Sequence, residues 1–339
     1  MLARPSTPSS AEAPATANET IGRDVTVVIA AWRAAGTIGR AVASALAQPE
    51  AAEVVVVDDA SNDDGATLAA ARAADDGTGR LTVLALDRNG GPSAARNAAI
   101  AASKAPWITI LDSDDYFEPG RLRGLMALAD KGYDLIADDL MQLKDGAPAS
   151  TAETMWFIGN DNTPVDVNFT YFMESSIAKS NTRRREMGFL KPMMRRAFLD
   201  AHAIRYDERM RLGEDFDIYA RTLLAGGRMR LIPWTGYISV MRMQSLSWNH
   251  SRRDLVELEA ANDRLLESKL ISPADAKLVR RHRLIARCRI SWVDLIDALK
   301  TRNVFRASWV VLKDPRQAPY LARAFRNMIF QKLDRGKQN

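Results

Sequence analysis

A chain of 339 residues, 47% of them hydrophobic, can bury a substantial core and fits one large domain with an extension, or two smaller domains. The single cysteine, Cys288, excludes an intrachain disulfide and is compatible with a reducing cytoplasm; with only three histidines, His202, His250 and His282, it argues against a tetrahedral zinc cluster, so any metal is expected to be a hard ion held by oxygen. The formal charge of +5 conceals an asymmetry: residues 276 to 337 hold 16 Lys or Arg against 4 Asp or Glu, a net of +12, which leaves the rest at −7 and implies two surfaces with different partners.

In chain order, residues 1–23, with Pro5-Ser6-Thr7-Pro8-Ser9-Ser10, carry no continuous apolar stretch and read as a disordered tail, not a signal peptide. Val25 to Ala30, Val54 to Val57, Leu81 to Leu86 and Trp107 to Leu111 are short apolar runs that predict strands. Between and after them, helical patterns cover 37–48, 63–74, 93–103 and 119–130. Strands apolar on both faces that alternate with helices predict an α/β fold with a mostly parallel, Rossmann-like sheet covered on two sides. Residues 138–190 read as irregular, with an aromatic stretch at Trp156-Phe157 and 168–172. Helices are expected over 195–202 and 215–225 and two strands over 229–232 and 237–242; from Arg253 the chain reads as helical, with breaks at Pro273, Asp314-Pro315 and Pro319. No run of about 18 apolar residues occurs, so no spanning helix is expected.

Ligands of such sheets bind beyond the carboxyl ends of the strands. Each strand here exits into polar residues: Trp32-Arg33, Asp58-Asp59, Asp87-Arg88-Asn89-Gly90-Gly91, and Asp112-Ser113-Asp114-Asp115. Taken singly, each exit is also an ordinary turn or N-cap. The last one crowds three carboxylates into four residues, a repulsion that a divalent ion bridging to phosphate oxygens would offset.

These segments, in this order and followed by Gly213-Glu214-Asp215-Phe216-Asp217, resemble the family 2 glycosyltransferases, GT-A-fold enzymes that build bacterial polysaccharides, and in particular the exopolysaccharide and succinoglycan-biosynthesis type. The resemblance covers about residues 24–250, setting a glycosyltransferase domain there and a basic helical extension over 251–339. It implies that Ala31 and Trp32 line a nucleobase pocket, although the usual Tyr-Asn pair is Trp32-Arg33 here, and that Asp59 accepts a hydrogen bond from uracil. The alternative for Asp59, a helix N-cap, suits Ser61 or Asn62 better. Arg96, in a segment similar to the family's Ala-Arg-Asn, is expected on the donor sugar or its phosphates; binding a carboxylate of the acidic cluster is the other reading. Asp112 and Asp114 match the Asp-x-Asp pair, with Asp115 adjacent, and are expected to hold Mn²⁺ or Mg²⁺ against the diphosphate of a UDP-sugar. Asp215 is similar to the family's catalytic base, with Glu214 orienting it or touching the acceptor. Arg242 stands where the family places a cation on the diphosphate, before Ser245-Leu246-Ser247. Gln244 and Trp248 only loosely match the signature of processive members, so one sugar is expected per acceptor, with inversion.

The resemblance further implies a saccharide acceptor carried on a lipid, UDP-glucose as the default donor, and a cytoplasmic protein or one peripheral to the inner face of the plasma membrane. The segment 320–333 mixes aromatic, aliphatic and basic residues and fits either an anionic membrane surface or docking on the catalytic domain or a second subunit, which would make a homodimer. Nucleic acid is not expected as a partner. The rival enzyme class is a sugar nucleotidyltransferase, whose Gly-rich triphosphate loop is absent from Ala30-Ala31-Trp32-Arg33-Ala34-Ala35-Gly36-Thr37. A non-catalytic nucleotide-sugar-binding scaffold is the rival without chemistry.

Overall fold

Val25–Ala31 (β1) lies at the centre of the parallel half of a sheet, between Ala51–Asp58 (β2) and Trp107–Ile110 (β4). The computed structural model describes residue 22, residues 24–155, 157–158, 162–177, 186–242 and 251–335, the last seven as backbone. Leu81–Ala85 (β3) pairs parallel with β2, and the crossovers run through Ile38–Leu46 (α1), Ala66–Ala73 (α2) and Pro92–Ala101 (α3). The β-branched runs of β1 and β2 are buried on both faces, which is why they show no alternation. β3 departs from that expectation: it is an edge strand, with Leu84 partly in solvent.

Tyr116–Phe117 (β5) precedes a helix that begins only at Arg121–Met126 (α4), because Gly120 takes φ +87°, and ends in a 3-10 turn at Ala129–Lys131. The next stretch, expected to be irregular, holds a ten-residue strand, Leu135–Lys144 (β6), then Glu153–Thr154 (β7), Val165–Val167 (β8) and the helix Phe169–Ser176 (α5). The adjacent Asp138 and Asp139 disguise β6. Both are buried: Asp138 pairs with the fully buried Arg121 at 2.9 Å, and Asp139 accepts the backbone N–H of Leu140 and Ile158. Buried carboxylates are tolerated when charge and donors meet them, and these partners come from distant parts of the chain.

Met193–Arg195 (β9) leads into Arg196–Ala201 (α6), Glu214–Leu224 (α7) and Met229–Met241 (β10). Among the described residues ten strands form one sheet, in the order β3-β2-β1-β4-β9-β6-β10-β5 with β7 on β6 and β8 on β10. β9 runs antiparallel to both β4 and β6, so the sheet is mixed where a mostly parallel one was expected. β10 was expected as two strands; it is one, kinked between Ile232 and Tyr237 where Pro233 and Gly236 interrupt the register with β6.

The C-terminal helices are Arg252–Glu267 (α8), Pro273–Lys300 (α9), Val304–Leu312 (α10) and Ala318–Arg335 (α11). Pro319 sits in the first turn of α11, where its missing N–H is harmless, so it opens that helix instead of breaking one. Leu258, Ala261 and Leu265 of α8 and Val279 and Ala286 of α9 join the main core, whereas Leu295, Val310 and Leu321 form a small cluster of their own. Among the described residues no helix is long and apolar enough to cross a membrane.

Candidate functional site

The carboxyl ends of β1, β2 and β4 open at one edge, and the loops leaving them are held in unusual backbone conformations. Arg33 and Ala60 have φ of 50° and 51°, a left-handed region that non-glycine residues enter at a cost of about 1–3 kcal/mol each. Arg33 N–H donates to Ser61 Oγ at 2.8 Å and Arg33 Nε to Ser61 O at 3.1 Å, while Ser61 N–H and its hydroxyl donate to Asp58. Ala31 is buried at the end of β1 and its carbonyl accepts from Asp59 N–H, and Trp32 beside it is 43% exposed with Arg33 over its ring. Trp32 thus stands partly in solvent at the strand edge with the Arg33 guanidinium on its ring.

Asp59 is buried, and both carboxylate oxygens are used within the protein: Gly90 N–H donates to Oδ1 at 2.7 Å and Gly91 N–H to Oδ2 at 2.8 Å. Its role in this structure is to pin the glycine loop that starts α3. Gly91 needs its φ of +86°, and Pro92 follows at the first helical position. The helix N-cap is neither Ser61 nor Asn62: Gly65 caps α2, and Asp63 accepts from Thr67 N–H and hydroxyl.

One turn into α3, Arg96 is 4% exposed and lies between three carboxylates. Its guanidinium is 2.7 Å from Glu214, 3.2 Å from Asp215 and 3.0 Å from Asp112. Of the two readings of Arg96, the structure displays the carboxylate one. Asn97, next in the motif, clamps a distant backbone by donating to Tyr206 O and accepting from Tyr206 N–H.

A second buried cation, Lys191, completes the cluster. Its ammonium is 2.6 Å from Asp215 and 2.9 Å from Asp112. Sequence reasoning passed over it; the available signal was a lone lysine inside the apolar run Phe189-Leu190-Lys191-Pro192-Met193. The backbone there is fixed by Arg121, which donates to Lys191 O at 2.6 Å, and by Tyr219 hydroxyl, which donates to Leu190 O. Tyr206 hydroxyl adds a third donor to Asp215, at 3.1 Å. Asp112 feels burial most, which alone would raise its pKa, but Lys191 and then Arg96 overcome this and hold it at about 2. Burial pushes the Lys191 ammonium the other way, and Asp112 and Asp215 together keep it above its usual range. Glu214 is left above the normal carboxyl range by burial, with Arg96 opposing and Asp215 adding.

The three carboxylates after β4 differ in commitment. Asp115 is buried, accepting from Tyr237 hydroxyl at 2.8 Å and Val240 N–H at 2.7 Å, and burial, then Asp112 and Asp114, raise its carboxyl well above the ordinary range. Asp112 serves the two cations. Asp114 is in ion-pair contact with no cation among the described residues; burial and Asp112 raise its carboxyl while Arg242 opposes them. Arg242, at the end of β10, is 3.4 Å from Asp145. Among the described residues no three of His, Cys, Asp and Glu come together as a complete metal cage. A hard ion in this cleft would take one carboxylate from the protein and its other ligands from phosphate oxygens and water, as Mg²⁺ commonly does, and Asp114 fits that single position. Gln244, Ser245, Ser247 and Trp248, and Trp156, lie outside the described residues.

Residues 26–200 match the family model described as Glycosyl transferase family 2. Succinoglycan biosynthesis protein ExoU of Rhizobium meliloti (strain 1021) is 48% identical over 301 residues, which are 87% of this chain and 85% of that protein. Among solved structures, S. aureus TarS 1–349 in complex with UDP-GlcNAc superposes with a TM-score of 0.59 at 16% identity, over 85% of this chain and 90% of that one. The mannosyltransferase PcManGT from Pyrobaculum calidifontis, in complex with GDP-Man and Mn²⁺, does so with a TM-score of 0.55 at 16% identity, over 90% and 80%. These two likenesses show the fold, which is GT-A-like.

Proposed function

The chain belongs to glycosyltransferase family 2, and from that premise we propose that it moves one sugar per encounter from a UDP-sugar to a hydroxyl of a lipid-linked oligosaccharide in exopolysaccharide assembly of the succinoglycan kind. The observation that carries this reading is the convergence of Asp112, after β4, with Glu214 and Asp215, at the start of α7, on the same buried Arg96 and, for the two aspartates, the same Lys191. Donor-side and acceptor-side carboxylates are thereby held in one rigid unit. Trp32 stacks on the base with Ala31 beneath it, and Asp59 shapes the glycine loop against the donor. Arg242 meets the diphosphate. Mn²⁺ or Mg²⁺ on Asp114, when bound, offsets charge on the leaving nucleoside diphosphate.

Asp215 takes the proton as the acceptor hydroxyl attacks the anomeric carbon from the side opposite the leaving group, which inverts the centre. It sits in the first turn of α7, and Glu214 orients it through the Arg96 guanidinium that both carboxylates meet. Glucose is the default donor sugar, by resemblance to polysaccharide-building relatives. The basic surface of the C-terminal helices suits work at the inner face of the plasma membrane. The test is nucleoside diphosphate release from a panel of UDP- and GDP-sugars, with and without chelator, for the wild type, Asp215→Asn and Glu214→Gln. The reading requires a UDP-sugar to be turned over in a metal-dependent way, Asp215→Asn to lose about 100-fold or more in kcat while still binding donor, and Glu214→Gln to lose less. Full activity in chelator would overturn the metal assignment; full activity of Asp215→Asn would overturn the base.

A further inference from the structure

Helix α10 is packed the wrong way round for a helix of a water-soluble surface. Among the described residues its apolar contacts with the protein come from Val310 and, partly, Ala307, against Leu295, Leu321, Trp292 and Tyr320, while Arg306 pairs with Asp297 and Asp294 of α9. Val304 is 72% exposed, Phe305 92%, Trp309 68% and Leu312 72%, with Val311 also in solvent. At 100° per residue these side chains and Ser308 fill one outward arc of about 160°. Such a continuous apolar face is not explained by chance exposure of single residues.

The rim of that face is basic. Lys300 and Arg302 precede α10 and Lys313 follows it, all exposed, and Arg323 and Arg326 project from α11. Residues 294–337, which include Asp294 and Asp297 that pair with Arg306, hold 10 Lys or Arg against 4 Asp or Glu. The segment 320–333, which fits a membrane surface or docking on protein, presents less apolar surface among its described side chains: Leu321 is buried and Tyr320 packs beside it, leaving Phe325 partly exposed.

We infer that the outward face of α10 is a membrane-docking surface, with Phe305, Trp309 and Leu312 entering the headgroup region of an anionic phospholipid bilayer and Lys300, Arg302 and Lys313 meeting its phosphates. Phe, Trp and Leu on one side with lysines at the edge is the composition of helices that lie in the plane of an interface, where apolar burial and attraction to anionic lipid add. A second copy of the chain suits the face less well, because pairing it about a twofold axis would bring two strongly cationic sections together. The inference rests on, and deepens, the reading of the acceptor as lipid-linked. Helix α9 joins the two sites: His282 stacks on Phe216, the neighbour of Asp215, at 4.4 Å, and the helix then runs about 27 Å from there to its end beside α10. One helix thus links the docking face to the helix that carries Asp215.

The test is co-sedimentation of the full chain with phosphatidylcholine vesicles, with and without about a third phosphatidylglycerol. The wild type is expected to bind the anionic vesicles, and Phe305→Ser/Trp309→Ser to partition about tenfold or more weakly. Both side chains are exposed, so the variant should keep the wild-type melting temperature and donor turnover without vesicles. Lys300→Glu/Lys313→Glu should lose anionic binding in the same way. Undiminished vesicle binding by the Ser variant, or a wild type that stays in the supernatant, would overturn the proposal. So would a dimer in sedimentation velocity that only the Ser variant loses, since the face would then belong to a second copy. Donor turnover reports the active-site reading independently, so either reading can fail while the other stands.

Discussion

Replacing Lys191 by Met keeps most of the side-chain volume and removes the buried ammonium that bridges Asp215 and Asp112. Asp215 would lose its 2.6 Å partner but keep Arg96 at 3.2 Å and Tyr206 at 3.1 Å, so it is depleted without being orphaned. Breaking a buried pair by removing one partner costs about 3–5 kcal/mol, and the surviving donors put this case near 3. Asp112 is one-third exposed and keeps Arg96 at 3.0 Å, so its loss is screened and adds about 1 kcal/mol or less. At about 2 °C per kcal/mol for a chain of this size, Lys191→Met should melt about 6–8 °C below the wild type by calorimetry. Its kcat should fall about 100-fold, equivalent to about 2.7 kcal/mol, with donor affinity changed little, because the substitution disturbs the carboxylate cluster and leaves the Trp32 edge intact. Lys191→Arg should recover part of the stability. A Lys191→Met protein with wild-type melting temperature and kcat would refute the reasoning, since the cluster would then be neither cohesive nor coupled to turnover.

Asp115→Ala should destabilise the fold by about 2–4 kcal/mol in urea titration, because Tyr237 hydroxyl and Val240 N–H lose their acceptor. Asp114→Asn should leave the urea midpoint unchanged while weakening donor binding in Mn²⁺ by calorimetric titration; equal stability losses for the two variants would contradict the division of labour. Gly90→Ala places a Cβ 2.6 Å from that of Ala94, beside the N–H that Asp59 accepts, and should cost about 1–3 kcal/mol and loosen donor binding. Glu53 accepts from Thr26 hydroxyl and from Lys104 and Ala105 N–H, and although burial opposes them, these bonds hold its carboxyl below the usual range. A carboxyl lowered on folding stabilises the native state above its unfolded pKa, about 4.3, and loses that contribution as pH falls through the native value. The melting-temperature gap between wild type and Glu53→Gln should thus be steady near neutrality and close below about pH 4.

The parallel half of the sheet was legible in the sequence because its evidence is local. Runs such as Val54 to Val57 are apolar on every face, and the polar exits at Trp32, Asp58-Asp59 and Asp112 to Asp115 follow directly from the strand ends. The glycine loop before α3 was legible for the same reason: what Gly91 and Pro92 can adopt is set by their own covalent geometry. Strand β6 was not, since Asp138 and Asp139 look like a turn until Arg121 and the backbone of Ile158 are brought to them. Nor was Lys191, an unremarkable residue until folding sets it between Asp112 and Asp215. The chain by itself determined which chemical groups are present and where strands end. Only the tertiary structure decided which carboxylates are consumed by internal partners, Asp59 by a loop, Asp115 by β10 and Asp112 by two cations, and that Asp114 alone of the acidic cluster is left without such a partner among the described residues. The physical reason is that a buried charge is defined by its neighbours, and those neighbours are distant in sequence.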